Sequence, residues 1–419
     1  MIKLYGQYMK SLKKKYFQWR YWGYLYKSMV KHLDYCNKEI NKEYIPYINK
    51  PGIVLSFDDS YRVHDWCKYG KETFGYYDIK VTFNINGVHP LEGNRKHTQK
   101  EIDQLLELQS NGHEIAHHGF KHKTPTEYTA NDGYDKWIKD EIETLFNWMA
   151  KQSHSKTKEG FKRPVSFAFP HFIYNDISLR QIIPKYFKIA RGHLHKDHLT
   201  GFKHNGFAPS ICLDGYYSCN IYYLKKIIKL AKKSGKNLIL TCHSILPEDA
   251  SDNYYGNGEN AAKWGTWKIS PKIIQMIIDE TRKNDMEFYT TSEIAGIATF
   301  IDHNLERAIK EQLSIPKEEW IEISKLYEVK ELDLSNKGIT NLDGLEYFLS
   351  LEKINLSNNE IADYRLLKKL PKLKDVIIED KQTLGVKKRK EISLLAQLKS
   401  SCMLIGINIA TFVESIPFN

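Results

Sequence analysis

Four short stretches of this chain hold residues that can do chemistry together. SFDDS sets Asp58 and Asp59 side by side after the apolar run GIVLSF (52–57). Two adjacent carboxylates at the end of a buried strand are costly unless paired, solvated or bound to a cation. GHEIAHHGFKHKTP carries His113, His117, His118 and His122. His118 and His122 are four apart, and so are His113 and His117, so spacing alone offers two imidazole pairs. Two imidazoles and one carboxylate make a facial ligand set that leaves positions open on a divalent ion. PVSFAFPHF ends an apolar run on Pro170 and His171, where a backbone amide can line a pocket. LILTCHSIL ends another on Thr241, Cys242 and His243. A histidine there is well placed as acid or base. Cys242 should face the opposite way, into packing, because strand side chains alternate; it is not read as a nucleophile.

The elements that would position these groups follow an α/β rhythm. Strand candidates are 52–57, 78–85, 112–119, 164–170, 186–192, 236–244 and 286–293, with helical stretches at 98–110, 132–151, 175–183, 220–234 and 270–284. Short apolar strands alternating with longer helices imply a parallel sheet or barrel, with functional groups at the C-terminal strand ends. Residues 1–50 read as a helical, aromatic-rich extension, and 51–304 as the α/β domain. From 305 to 419 the pattern changes. A helical stretch at 305–327, broken near Pro316, leads into VKELDLSNKGITNL, LEKINLSNNEIADY and LKDVIIEDKQTLGV. Leu332, Ile354 and Val376 recur at a 22-residue offset, which predicts a small leucine-rich repeat solenoid. Asn359 fits the inward asparagine of such repeats, and Lys337 and Lys381 replace it in the units on either side. Helical caps are expected at 305–327 and 384–399, and the apolar tail at 403–413 should pack against the solenoid.

Composition narrows the function. Of 419 residues, 42% are hydrophobic and 27% charged, with 24 Gly and 13 Pro, which excludes a disordered, collagenous or mucin-like chain. The net charge of +11 favours anionic surroundings. The sequence holds no P-loop, zinc-finger or RNP-like motif, and a specific nucleic-acid role is not expected. None of the six cysteines forms a CxxC, which suits a reducing compartment; Cys212 and Cys219 could pair in an exported protein. No apolar run is long enough to span a bilayer. The first 28 residues are basic and aromatic without a signal-peptide core. They point to a cytoplasmic protein, with a helix that packs on a neighbouring domain or lies on a membrane.

The ordered set SFDD, HGFKH, FAFPHF and LTCH resembles the polysaccharide deacetylase family, also called the NodB homology domain or carbohydrate esterase family 4, over about residues 50–300. The resemblance implies a distorted (β/α)7 barrel of the NodB type, followed here by the repeat solenoid. It implies a hydrolase that removes acetyl groups from an N-acetylated sugar or glycan with one divalent metal ion, zinc first, with cobalt, manganese or nickel as alternatives. On the matching positions, Asp58 corresponds to the catalytic base, Asp59, His118 and His122 to the metal ligands, and His243 to the acid that protonates the leaving amine. The backbone amide of His171 falls where the family holds the oxyanion. His113 and His117 then become structural or supporting residues.

The chain also departs from the family. Ala168 stands where an arginine usually orients the base, and Arg191 in IARG is expected to replace it from the next strand end. His171 replaces a tyrosine, and Gly119 follows His118 where Ser or Thr is usual. A fourth motif is not evident, although Asp214 and Tyr216 lie in a suitable loop. Trp264 and Trp267 in KWGTWK could stack on sugar faces or simply pack. Two other readings stand beside the deacetylase. One is a scaffold that binds a protein partner through its repeats and keeps a degenerate barrel. The other is a hydrolase of a small cyclic or linear amide.

Overall fold

The structure is a computed structural model. It describes residues 2–36, 50–89, 92–129, 132–192, 199–200, 206–215, 218–248 and 267–378. Tyr216, Trp264, Lys381, the cap expected at 384–399 and the tail at 403–413 lie outside the described residues. The chain divides into two compact units, Met1–Ile297 and Ala298–Asn419.

Seven parallel strands form the heart of the first unit. They are β1 (Gly52–Asp58), β2 (Thr82–Ile85), β3 (Glu114–His117), β4 (Ser166–Ala168), β5 (Ile189–Gly192), β6 (Gly206–Cys212) and β7 (Asn237–Cys242). Each pairs with the next, and β7 returns to pair with β1, so the sheet closes into a barrel. In that closing register Leu55 faces Leu240 and Phe57 faces Cys242. Every residue of β1 and β7 is buried, which is why both read as unbroken apolar runs rather than alternating ones.

One barrel strand differs from expectation. GFAPSIC forms β6, with Pro209 opposite Gly192 of β5. A proline lacks the N–H of a ladder donor and argues against an interior strand, so sequence reading passes over it. The 286–293 run shrinks to Glu287–Phe288, which pairs with the start of β1. The chain then turns at once into a short helix capped by Thr290 and Glu293. Between β5 and β6 the described residues form only the two-residue strand Leu199–Thr200, antiparallel to the start of β7.

Most intervening helices carry their own start signals. The helix Gln99–Ser110 opens on a Thr98/Glu101 capping box, and Asp176–Ile182 on an Asn175/Ser178 box. Ile221–Ser234 starts at Asn220 and stops at Gly235, whose φ is 65°. Pro271–Lys283 has Ser270 as its cap and proline in its first turn. The first residues form a single helix, α1 (Ile2–Cys36). Trp22, Leu25 and Met29 from this helix are buried in the same core as Leu224, Ile227 and Ile228, and Trp22 Nε1 donates to the Ser218 carbonyl at 3.0 Å. Burying side chains of this size is worth about 1.5–3 kcal/mol each, so α1 is an integral part of this unit.

The second unit begins with a helix, His303–Gln312, shorter than expected. The chain turns through Ser314 at φ 53°, just before Pro316. Three strands follow, Glu331–Asp333, Lys353–Asn355 and Asp375–Ile377, all parallel. Their register sets Leu332 against Ile354 and Ile354 against Val376, a 22-residue step. Asn359 stitches successive turns together. Its Oδ1 accepts from the amides of Lys337 (3.1 Å) and Ile339 (3.0 Å), while Nδ2 donates to the carbonyls of Leu334 (2.8 Å) and Leu356 (3.0 Å).

Candidate active site

The parallel register brings the C-terminal ends of the barrel strands to one rim. Asp58 ends β1 beside Asn84 of β2, His118 follows β3, Arg191 lies on β5, Asp214 follows β6 and His243 follows β7. Chemistry on this fold is expected at this rim.

Asp59, His118 and His122 converge. Asp59 Oδ1 lies 3.5 Å from His118 Nε2 and 3.4 Å from His122 Nε2. All three ligand atoms lie within 4.8 Å of one another. His113 and His117, the alternative pair, are directed elsewhere. His113 Nδ1 accepts from the Val81 amide at 3.3 Å, and its ring packs edge-on against Phe74 and Phe83.

A divalent cation fits the first group. Asp59 Oδ1 is buried and accepts no hydrogen bond, a costly state that a cation would relieve. His118 Nδ1 donates to the Ala168 carbonyl at 2.8 Å, which fixes the tautomer and leaves the Nε2 lone pair towards Asp59. Burial, and after it the neighbouring imidazoles, hold His118 and His122 well below the usual histidine range. Both rings are therefore neutral and able to ligate.

The loop that carries His118 and His122 is shaped by groups around it. Gly119 sits at φ 82°, and a Cβ there would meet Glu141 Oε2 at 2.8 Å. This explains why Ser or Thr is absent from the position. The Gly119 amide instead donates to His117 Nδ1 at 3.1 Å, and His117 Nε2 donates to the Ile142 carbonyl at 3.1 Å. Glu141 accepts from the amides of Lys121 (2.9 Å) and Lys123 (3.3 Å), which holds the backbone on both sides of His122. Asn86 Nδ2 ties the carbonyls of His118 and Gly119 at 3.0 and 3.2 Å.

Asp58 is held from two sides. Arg191 donates to its Oδ1 through a terminal guanidinium nitrogen, and Asn84 Nδ2 donates to the same oxygen at 2.9 Å. Arg191 Nε also donates to Ser56 Oγ at 3.0 Å. Asp58 Oδ2 lies 3.9 Å from His118 Nε2. Burial pushes Asp58 up to about 6 despite the opposing pull of Arg191 and His243.

Across the site, His243 Nε2 lies 3.9 Å from Asp59 Oδ2. Its Nδ1 donates to Asp214 Oδ1 at 2.9 Å, and its amide donates to Asp214 Oδ2 at 2.7 Å. Burial alone would lower this histidine, but Asp214, then Asp59 and Asp58, outweigh it and hold it at about 9. Asp214 was only a loop candidate in the sequence; no local pattern shows that it grips His243. Trp267 packs edge-on against the His243 ring, centroids 4.7 Å apart. It lies so close to Gly215 (φ 63°) that a Cβ there would meet it at 2.6 Å.

His171 is exposed on the same rim, at φ 54°, with its ring 4.5 Å from that of His122. Cys212, Cys219 and Cys242 are free thiols. Burial pushes Cys242 well above the usual thiol range, which removes it as a nucleophile at neutral pH.

Residues 48–182 match the sequence model of the polysaccharide deacetylase family. The match takes in the first four barrel strands together with Asp58, Asp59, His118, His122 and His171. This stretch is therefore similar to a polysaccharide deacetylase domain, and it lies within the closed seven-stranded parallel barrel. No curated protein matches the chain. Among solved structures, it is similar to the family 4 esterase domain of a multidomain xylanase from the hindgut metagenome of Trinervitermes trinervoides (16% identity, 59% of this chain and 90% of that one, TM-score 0.36). It is also similar to a family 4 acetyl xylan esterase from Clostridium thermocellum in complex with cobalt (15%, 63% and 92%, TM-score 0.35). A third is a variant of a peptidoglycan deacetylase from Bacillus subtilis (13%, 64% and 96%, TM-score 0.34).

Proposed function

We propose that the barrel is a metal-dependent hydrolase that removes the acetyl group of an N-acetylated sugar or glycan. One observation carries the reading: the Asp59–His118–His122 group lies between two buried pairs, Asp58–Arg191 and His243–Asp214. A neutral amide resists hydrolysis. It needs a base for water, stabilisation of the oxyanion and an acid for the leaving nitrogen.

Asp59, His118 and His122 would hold the cation, with zinc, cobalt, manganese or nickel all compatible with the donor set. When bound, a divalent cation supplies Lewis-acid polarisation of the carbonyl and a more acidic water. Asp58 takes the proton from water; Arg191 and Asn84 fix its Oδ1 and leave Oδ2 as the basic atom. The amide of His171 donates to the developing oxyanion. His243 carries its proton on Nε2 and delivers it to the nitrogen as the C–N bond breaks. Asp214 holds the opposite side of that ring and favours its protonated form. Asp58 can be ionised while His243 is protonated because their environments push the two groups apart. Trp267 offers one aromatic wall for a sugar face.

The second unit is proposed to be a short leucine-rich repeat platform that presents a face to a protein partner. The 22-residue register and the Asn359 bonds support the repeat reading.

The test is acetate release from an N-acetylated glucosamine oligomer by protein loaded with zinc or cobalt, alongside elemental analysis. About one equivalent of metal with acetate release, both lost in His118→Ala, is the expected result. A fully loaded protein that releases no acetate from any N-acetylated sugar would overturn the reading.

A further inference from the structure

The outer face of α1 has no role in the barrel chemistry. Trp22, Leu25 and Met29 turn inward. Away from these, Tyr16 (61%), Phe17 (64%), Trp19 (55%) and Tyr24 (63%) are exposed. Between these rings Lys13, Lys15, Arg20, Lys27 and Lys31 are exposed. The chain has no acidic residue before Asp34.

The patch continues onto the neighbouring helix Ile221–Ser234, which also lacks acidic residues. Trp19 and Tyr26 lie 6.4 and 6.0 Å from Tyr223. Tyr222 is exposed, and Lys226 sits over its ring at 4.3 Å.

We propose that this face docks the protein on an anionic phospholipid surface, with α1 lying in the plane of the interface. Three features select that occupant. The charge is of one sign, as attraction to anionic headgroups requires. The apolar component is aromatic, and Trp and Tyr are the side chains that settle at headgroup level. The exposed rings and cations share the solvent-facing surface of the helix, so both can meet the headgroup region at once. No helix among the described residues is long and apolar enough to cross the membrane, so the contact is peripheral. The inference is independent of the catalytic reading, because binding to lipid needs no turnover.

The experiment is co-sedimentation of the full chain with vesicles of phosphatidylcholine alone or mixed with phosphatidylglycerol. Binding to the mixed vesicles, falling as salt is raised from 0.1 to 1 M, is expected. Each cation removed near such a surface should weaken binding about fivefold. The triple variant Lys13→Gln/Arg20→Gln/Lys27→Gln should therefore bind about 100-fold more weakly, with an unchanged melting temperature because all three side chains are exposed. Brominated lipid should quench tryptophan fluorescence in the wild type and less in Trp19→Phe. Equal binding to both vesicle types, no binding to either, or binding that the triple variant leaves intact would overturn the proposal. So would salt-sensitive binding to a single-stranded RNA oligonucleotide without vesicle binding, or a dimer that the triple variant dissolves while vesicles go unbound.

Discussion

Arg191, on the fifth barrel strand, grips the carboxylate of Asp58 at the end of the first. The two are 133 residues apart in sequence and both are buried. In Arg191→Ala, Asp58 is left without its cation, and breaking a buried pair this way costs about 3–5 kcal/mol. If Asp58 is the base, acetate release should also fall by at least about 100-fold, the low end of what a positioned base contributes. Steady-state kinetics and a thermal melt read the two effects separately. An unchanged kcat would remove Arg191 from the reaction.

His117 offers a test of loop positioning. It receives the Gly119 amide and donates to Ile142, so it holds the backbone between the two proposed histidine ligands. His117→Ala should weaken zinc binding about 10–100-fold, as loss of a supporting residue does, while the stoichiometry at saturation stays at one. Competition with a chromogenic chelator measures this. Complete loss of stoichiometry would make His117 a ligand, and no change would make it plain packing.

Asp214→Asn keeps the shape around His243 and removes the charge that favours its protonated form. The expected result is a fall in kcat of about 100-fold or more with little change in KM, since proton delivery acts in the transition state. A change confined to KM would place Asp214 in substrate binding instead.

Acid stability follows from His113. Burial, with minor help from Lys80 and Lys71, depresses it to about 3. The folded state therefore binds its proton less well than the unfolded chain, whose histidine titrates near 6.5. This neutral histidine costs no stability above about pH 6.5. Stability is lost progressively as pH falls from there towards 3, by up to about 1.4 kcal/mol per pH unit. His113→Gln keeps an acceptor for the Val81 amide and removes the titration. Urea midpoints between pH 7 and 5 should then fall less steeply than in the wild type; parallel slopes would show that His113 does not carry this dependence.

Asn359→Ala removes five backbone hydrogen bonds from one side chain. Each buried amide or carbonyl left unpaired costs about 1–3 kcal/mol, so the second unit should melt earlier while the barrel keeps its melting temperature. Hydrogen exchange at Lys337 and Ile339 reads this directly.

Much of the site could be read from the chain because each strand-end residue sits in an apolar run that announces its own strand: VLSFDD, EIAHH, SFAFP, LILTCH. What was hidden lies in pairings between distant segments. Arg191 could be suggested but not aimed, since nothing in IARG says that its side chain reaches Ser56 and Asp58. Asp214 follows a strand whose Pro209 disguises it, so the residue that charges His243 lay in what read as loop. The choice between His113–His117 and His118–His122 also escaped spacing. It is decided by the bend at Gly119 and by the positive φ of His122, 59°, which bring His122 back beside His118.

Closure of the barrel by its first and last strands has a consequence for how the protein is made. During synthesis the chain emerges from its N-terminus, and Asp58 and Asp59 leave the ribosome long before Asp214 and His243. Until residue 242 is free, β1 lacks its neighbour on one side and the carboxylates lack the histidine opposite. On the proposed roles, the three residues that would hold metal, Asp59, His118 and His122, are all synthesised before the proposed proton donor His243, so the reaction site can be completed only when the closing strand arrives.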